Sequence, residues 1–194
     1  MQSRILLKWL RFIGAAVVIA FSTVVIFMPD EMRVSFVQRV IISKHTDVGL
    51  PVRLTIPNIN VDASVESLGL ASDGSMAAPK GPADVGWYNL GPRPGEVGSA
   101  VIDGHFGWKN GIPAVFDHID TLRKGDKIYV ENENGTITAF VVREIRTFDP
   151  TAEASDVFDS SDGKAHLNLI ICEGVWDPIQ KSYADRLVVF ADKE

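Results

Sequence analysis

Asn168-Leu-Ile-Ile-Cys-Glu-Gly-Val-Trp-Asp177 ends an apolar, strand-like run on the only cysteine of the chain. A thiol that has no disulfide partner points to chemistry rather than to a structural staple. The competing reading is a buried cysteine acting as a small hydrophobe, so its neighbours and its compartment must decide.

Around that run the chain reads as short strands. A second apolar run, Leu187 to Ala191, follows Arg186, and Leu167 to Ile171 precedes the thiol. Upstream, Val52 to Ile56 and Val61 to Leu68 are rich in β-formers and are separated by Pro57-Asn58-Ile59-Asn60. Ser99 to Asp103 ends at Gly104-His105, and Ala114 to Leu122 reads as a helical turn before the tight turn Lys124-Gly125-Asp126. Lys127 to Glu131 and Thr136 to Ile145 flank Asn132-Glu-Asn-Gly135, whose Asn-Gly pair is a strong hairpin signal. Ser75 to Gly98, dense in Gly and Pro around Gly86-Trp87-Tyr88, reads as an irregular covering segment, and Thr147 to Ala165 as a long acidic loop. Short strands at this spacing, without repeating strand-helix units, predict a mainly all-β domain over 51–194, an antiparallel barrel or sandwich with short helices. No internal repeat or low-complexity segment interrupts it.

The N-terminal part differs in kind. No charged residue lies between Phe12 and Met28, close to the ~20 apolar residues that span a bilayer as a helix. Arg4, Lys8 and Arg11 precede the run, and Asp30 and Glu31 follow it. This bias places the N-terminus in the cytoplasm and the remainder outside. The apolar core exceeds the roughly 7 to 15 residues of a cleaved leader, so residues 1–29 are expected to be a retained signal anchor in the lipid bilayer. Residues 30–50 mix Val34, Phe36, Val37, Val40, Ile41 and Ile42 with polar side chains and read as a stalk, helical in part, that Pro51 ends. Of 19 basic residues, three belong to the N-terminal tip, so 16 face 25 acidic residues in the exported part. That excess of acid argues against nucleic acid as a partner.

A cysteine nucleophile needs a histidine or a cation nearby to gain thiolate character. Of the four histidines, His45 falls in the stalk and His118 in a surface turn, where structural roles suffice. His166 precedes Cys172 by six positions, on the order of 20 Å along an extended chain. His105 is different, because it ends a strand in Val-Ile-Asp-Gly-His-Phe-Gly with glycines nearby on both sides to free the backbone that presents it. Arg186 starts the last strand and would supply a fixed cation for a carbonyl oxygen or an oxyanion.

Taken in order, His105, Cys172 and Arg186 resemble the active-site set of the sortases, the cell-wall transpeptidases of bacteria. The resemblance extends through Pro-Val-Arg-Leu-Thr-Ile-Pro-Asn-Ile-Asn-Val-Asp-Ala, Val-Gly-Trp-Tyr, Gly-Ser-Ala-Val-Ile-Asp-Gly-His, Leu-Arg-Lys-Gly-Asp and Arg-Leu-Val-Val-Phe-Ala, and is most similar to classes E and F. It implies an eight-stranded barrel that brings the three residues together at one end. It further implies attack by Cys172 on a Leu-Pro-x-Thr-Gly type sorting signal of a secreted protein, with the thioacyl-enzyme resolved by a cell-wall or pilin amine. His105 would be the acid and base and Arg186 the holder of carbonyl and oxyanion. The Glu173 backbone N–H and residue Ile171 would lie by the oxyanion, while Trp176 would wall the groove. The family pattern Thr-Leu-x-Thr-Cys stands here as Asn168-Leu169-Ile170-Ile171-Cys172, with both threonines replaced.

The resemblance leaves a sortase-fold module that binds signals without turning them over, and a hydrolase that uses water, as the alternatives. A thiol transpeptidase of another kind, acting on peptidoglycan, ranks below them for want of a Ser-His-Gly-Cys type motif. No cofactor is expected. Calcium comes into view through Asp149, Glu153, Asp156, Asp159 and Asp162, since carboxylate clusters suit hard cations. These acids match no ligand spacing, however, and a solvated loop is the expectation; one cysteine and scattered histidines also make no zinc site.

Overall fold

Alternation of apolar and polar residues gives each of eight segments one face for a core and one for other duties. In the computed structural model, which describes residues 48–149, 155–177 and 182–194 (173–184 by backbone alone), they are strands. These are β1 (Pro51–Ile56), β2 (Val61–Leu68), β3 (Val85–Tyr88), β4 (Gly98–Gly104), β5 (Lys127–Asn132), β6 (Ile137–Phe148), β7 (Ala165–Asp177) and β8 (Ser182–Lys193). They close into a barrel in the order β1-β2-β3-β4-β7-β8-β6-β5. The expected anchor, all but the end of the expected stalk, and the Trp176 side chain lie outside the described residues.

The barrel interior takes every second residue. Leu54 and Ile56, Ala100 and Ile102, Ile128 and Val130, Phe140 and Val142, Leu167, Leu169 and Ile171, and Leu187 and Val189 belong to one buried cluster. The predicted hairpin is present: Asn132 Oδ1 accepts the backbone N–H of Asn134 and of Thr136, both at 3.0 Å, and Gly135 takes the positive φ of 77° that the turn requires.

The expected all-antiparallel arrangement is corrected in two places. β2 pairs in parallel with β3, and β4 in parallel with β7. Parallel neighbours need a long crossover, supplied here by residues 69–84 for the first pair and by everything from 105 to 164 for the second. The stretch read as irregular covering therefore contains β3. Gly86 in β3 has a packing reason, because a Cβ there would meet Leu68 Cδ1 at 2.2 Å. The acidic loop also carries structure: β6 runs on to Phe148, and a short helix α1 spans Ser155–Phe158.

α1 sits on the outside of the barrel. Val157 is buried with Val188 and Phe190, against Phe148 and Ile170. The Arg146 guanidinium lies 4.1 Å from the Phe190 ring centroid while its Nη2 pairs with Asp156 Oδ2 at 2.8 Å. Phe158 meets Tyr88 edge to face at 5.6 Å. A wall is thus raised over the outer face of β4, β7 and β8.

Candidate active site

Because Leu167, Leu169 and Ile171 point inward, Ile170 and Cys172 must point outward. The same parity on β8 turns Leu187 inward and Arg186 outward, and on β4 turns Ile102 inward and Asp103 outward. Cys172 is the direct cross-strand partner of Arg186. On the other side, Gly104 is the partner of Ile171, so His105 emerges from β4 beside the position of Cys172 on β7. β7 and β8 therefore present Cys172 and Arg186 side by side, and β4 ends next to them one residue before His105.

A groove of about 610 Å³ covers this face, lined by Tyr88, Asp103, Val157, Ile170, Cys172, Arg186 and Val188 among others. The thiol is free and half-buried. Burial pushes the Cys172 thiol up; the Arg186 guanidinium pulls it down and the Asp103 charge pushes it up again. Burial therefore opposes the thiolate, and Arg186 is the group that favours it.

The turn after β4 is tightly tied. The backbone N–H of Phe116 donates to the His105 carbonyl at 3.1 Å, and Asp117 accepts the N–H groups of Gly107 (2.7 Å) and Ala114 (2.9 Å). Phe116 is fully buried under the strand end, where a Cβ on Gly104 would lie 2.3 Å from its ring. Close approach, not backbone freedom, is what Gly104 provides, whereas Gly107 does adopt a positive φ of 61°. The His105 ring rests 4.6 Å from Trp108, and its Nε2 lies 2.7 Å from the Pro79 carbonyl oxygen. A carbonyl only accepts, so Nε2 carries a proton and donates it, which leaves Nδ1 to exchange one.

One of the expected contributors lies elsewhere. Ile171 is 1% exposed inside the barrel core, so the expectation that it lines the oxyanion or substrate site is corrected. Parity is the cause: adjacent residues of a strand face opposite sides. Asn168 is also buried, and its Nδ2 donates to the Val157 carbonyl at 2.6 Å, so it holds α1 in place about 13 Å along the strand from the sulfur. Neither replaced threonine position turns its side chain to the thiol. Glu173 follows Cys172 within β7, opposite Asp185, and its side chain falls outside the described set.

Asp103 was not anticipated. Its signal was available, since two residues before His105 on a strand is the same face. Two of the five acids considered for calcium have other partners: Asp156 pairs with Arg146, and Asp162 with His166, whose Nε2 lies 3.0 Å from Asp162 Oδ1 and whose Nδ1 lies 2.8 Å from Asp192 Oδ1. Glu153 lies outside the described residues, and among those described no cluster is arranged to hold a metal ion. His166 thus has a structural role.

Comparison with known proteins agrees with this fold. A model of the sortase domain matches residues 54–194. Sortase C-1 from Actinomyces oris superposes with a TM-score of 0.59 at 24% identity, covering 73% of this chain and 72% of that one. A lid mutant of sortase A from Corynebacterium diphtheriae gives 0.59 at 21% identity over 77% and 73%. Streptococcus agalactiae sortase C1 in complex with MTSET gives 0.57 at 23% identity over 78% and 71%. A search among curated proteins finds no match. With the family model covering most of the chain and the barrel shared with these structures, this protein belongs to the sortase family, whose members are cysteine transpeptidases.

Proposed function

We propose that this chain is a cysteine transpeptidase that cleaves a C-terminal sorting signal of the Leu-Pro-x-Thr-Gly type and transfers the secreted protein to a cell-wall or pilin amine. The observation that supports it most is the cross-strand pair of Cys172 and Arg186 in an outer groove, beside the β4 end that presents His105. Cys172 as thiolate attacks the scissile carbonyl carbon, and a C–S bond forms as the C–N bond breaks. Protonated His105 gives a proton to the leaving amine. The acceptor amine then attacks the thioester, loses its proton to His105, and releases the thiolate. One amide replaces another, with no oxidant or cofactor consumed.

Arg186 and the backbone N–H of Glu173 would hold the oxyanion, where one lost donor typically costs ~2.7–4 kcal/mol in barrier. Trp176 would wall the groove. A single-pass anchor over residues 1–29, with its N-terminus in the cytoplasm, would place the barrel outside the cell, where both secreted substrate and wall amine are found.

The test is incubation of the full-length chain in detergent with a panel of sorting-signal peptides, with and without triglycine or a diamino acid. A covalent acyl adduct by intact mass, absent in Cys172→Ala, and amide product with amine present are expected. Acid product alone would indicate hydrolysis. No adduct across the panel would leave a groove that binds signals without turning them over.

A further inference from the structure

The outer face of the groove carries an acid that the proposed reaction does not use. Asp103 is the register partner of Ile170, and Cys172 lies two residues further along β7 on the same face. With strands ~4.8 Å apart and a rise of ~3.3 Å per residue, the two positions are roughly 8 Å apart on a diagonal. Arg186 is directly opposite Cys172 on the far side. All three line the one groove, together with Ile170, Val188 and Tyr88 among others.

A carboxylate in that setting loses hydration, and burial pushes the Asp103 carboxyl up to about 7, against the pull of the Gly104 backbone N–H and of Arg186. The charged and titratable groups facing it across the groove are Arg186 from β8, Cys172 from β7, Tyr88 from β3 and Asp149 from the chain after β6, while His105 follows two residues on, just past the end of its strand. A half-buried acid that lines the same groove as a candidate nucleophile is a candidate for a role at the site.

We propose that Asp103 is a positioning residue of this site: its carboxylate and the Cys172 thiolate share the guanidinium of Arg186, so the charge on Asp103 sets how much of that cation the sulfur can use. With a proton on Asp103, Arg186 serves the thiolate and the oxyanion. With Asp103 ionised, the acid competes for the guanidinium and repels the negative sulfur. The nucleophile is damped as the pH rises through the neutral range, where an unassisted thiol would only gain reactivity. The catalytic consequence rests on the thioacyl reading, while the coupling itself is a property of the groove.

Because the chain has one cysteine, alkylation of the folded full-length protein in detergent by iodoacetamide, followed by intact mass, reports on Cys172 alone. Rates are compared from about pH 5.5 to about pH 9 for wild type, Asp103→Asn, Asp103→Glu and Asp149→Asn. Near the acidic end Asp103 is neutral, so wild type and Asp103→Asn should react alike. By about pH 8.5 Asp103→Asn should be faster by about three- to sixfold, allowing for the lower nucleophilicity of a more acidic thiol. Asp103→Glu and Asp149→Asn should follow wild type. The proposal is overturned by an unchanged profile, by a gain independent of pH, which marks easier access only, or by an equal gain in Asp149→Asn. Should Asp103→Asn fail to give a cooperative melt, Asp103→Ser takes its place with the same expectation. A pH-dependent gain without peptide adducts upholds the coupling and sinks the transpeptidase reading; adducts with a flat ratio do the reverse.

Discussion

Replacing Ile171 by threonine, the residue found at this position in the family pattern, separates two views of what stands next to the nucleophile. If the position faced the groove, a hydroxyl would aid acylation and cost little. The side chain instead lies in the barrel core, 1% exposed, packed with Leu167, Leu169, Leu187 and Val189 in the same cluster. Removing the apolar bulk alone costs about 0.5–1.5 kcal/mol, as in Ile→Val. A buried hydroxyl with no partner adds about 1–3 kcal/mol. The sum, on the order of 2–4 kcal/mol, corresponds to a drop in melting temperature of roughly 5–15 °C for a domain of this size. Differential scanning calorimetry of wild type, Ile171→Thr and Ile171→Val should show the full drop for threonine and about a third of it for valine. Acylation by a sorting-signal peptide, measured well below the melting point, should not be faster in Ile171→Thr. An unchanged melting temperature together with faster acylation would refute the parity that puts Ile171 inside and Cys172 outside.

Arg186→Gln removes the cation that opposes burial at Cys172, so the acylation rate should fall by about 10²-fold or more while the melt stays cooperative, with Arg186→Lys recovering part of the loss; equal rates in single-turnover assays would count against Arg186 as the holder of charge. Gly104→Ala should lower the melting temperature, because its Cβ would lie 2.3 Å from the Phe116 ring and overpacking costs about 1–3 kcal/mol; a wild-type melt would mean that Phe116 moves freely. The Asp162 carboxyl is held well below its ordinary range by His166 and by the Lys164 N–H, so its contribution is complete above the unfolded value near pH ~4 and fades as pH falls through the lower folded value. Pepsin cleavage between residues 158 and 164 should therefore begin only below about pH 3, and cleavage already prominent at pH 4 would contradict this.

Much of the barrel was legible because its signals are local. The Asn-Gly turn after Asn132, the alternation in β1, β5 and β8, and the strand that delivers His105 each depend on neighbours in sequence. Pairing is not local: nothing in Ser99 to Asp103 or Leu167 to Ile171 announces that the two runs lie side by side and in the same direction. β3 went unread because Gly86 looks like punctuation until its contact with Leu68 is known. At the site, residue types singled out His105, Cys172 and Arg186 as candidates, whereas faces were judged less well. Counting in twos from Leu167 and Leu169 would have sent Ile171 inward, and counting in twos back from His105 would have brought Asp103 into the groove.

The parallel pairing of β4 with β7 has a consequence for how this protein comes to life. The strand that carries Cys172 and the strand that leads to His105 meet only when a loop of some sixty residues has closed, and such distant contacts form late because the entropy of closure is lost before the packing is gained. β7 is also flanked by β8 on its other side, which follows it in the chain. A growing polypeptide with β1 to β6 already made thus has the strand that leads to His105 but no complete groove, which β7 and β8 finish at the final stage of folding. The groove that holds Cys172 exists only after the barrel has closed around it.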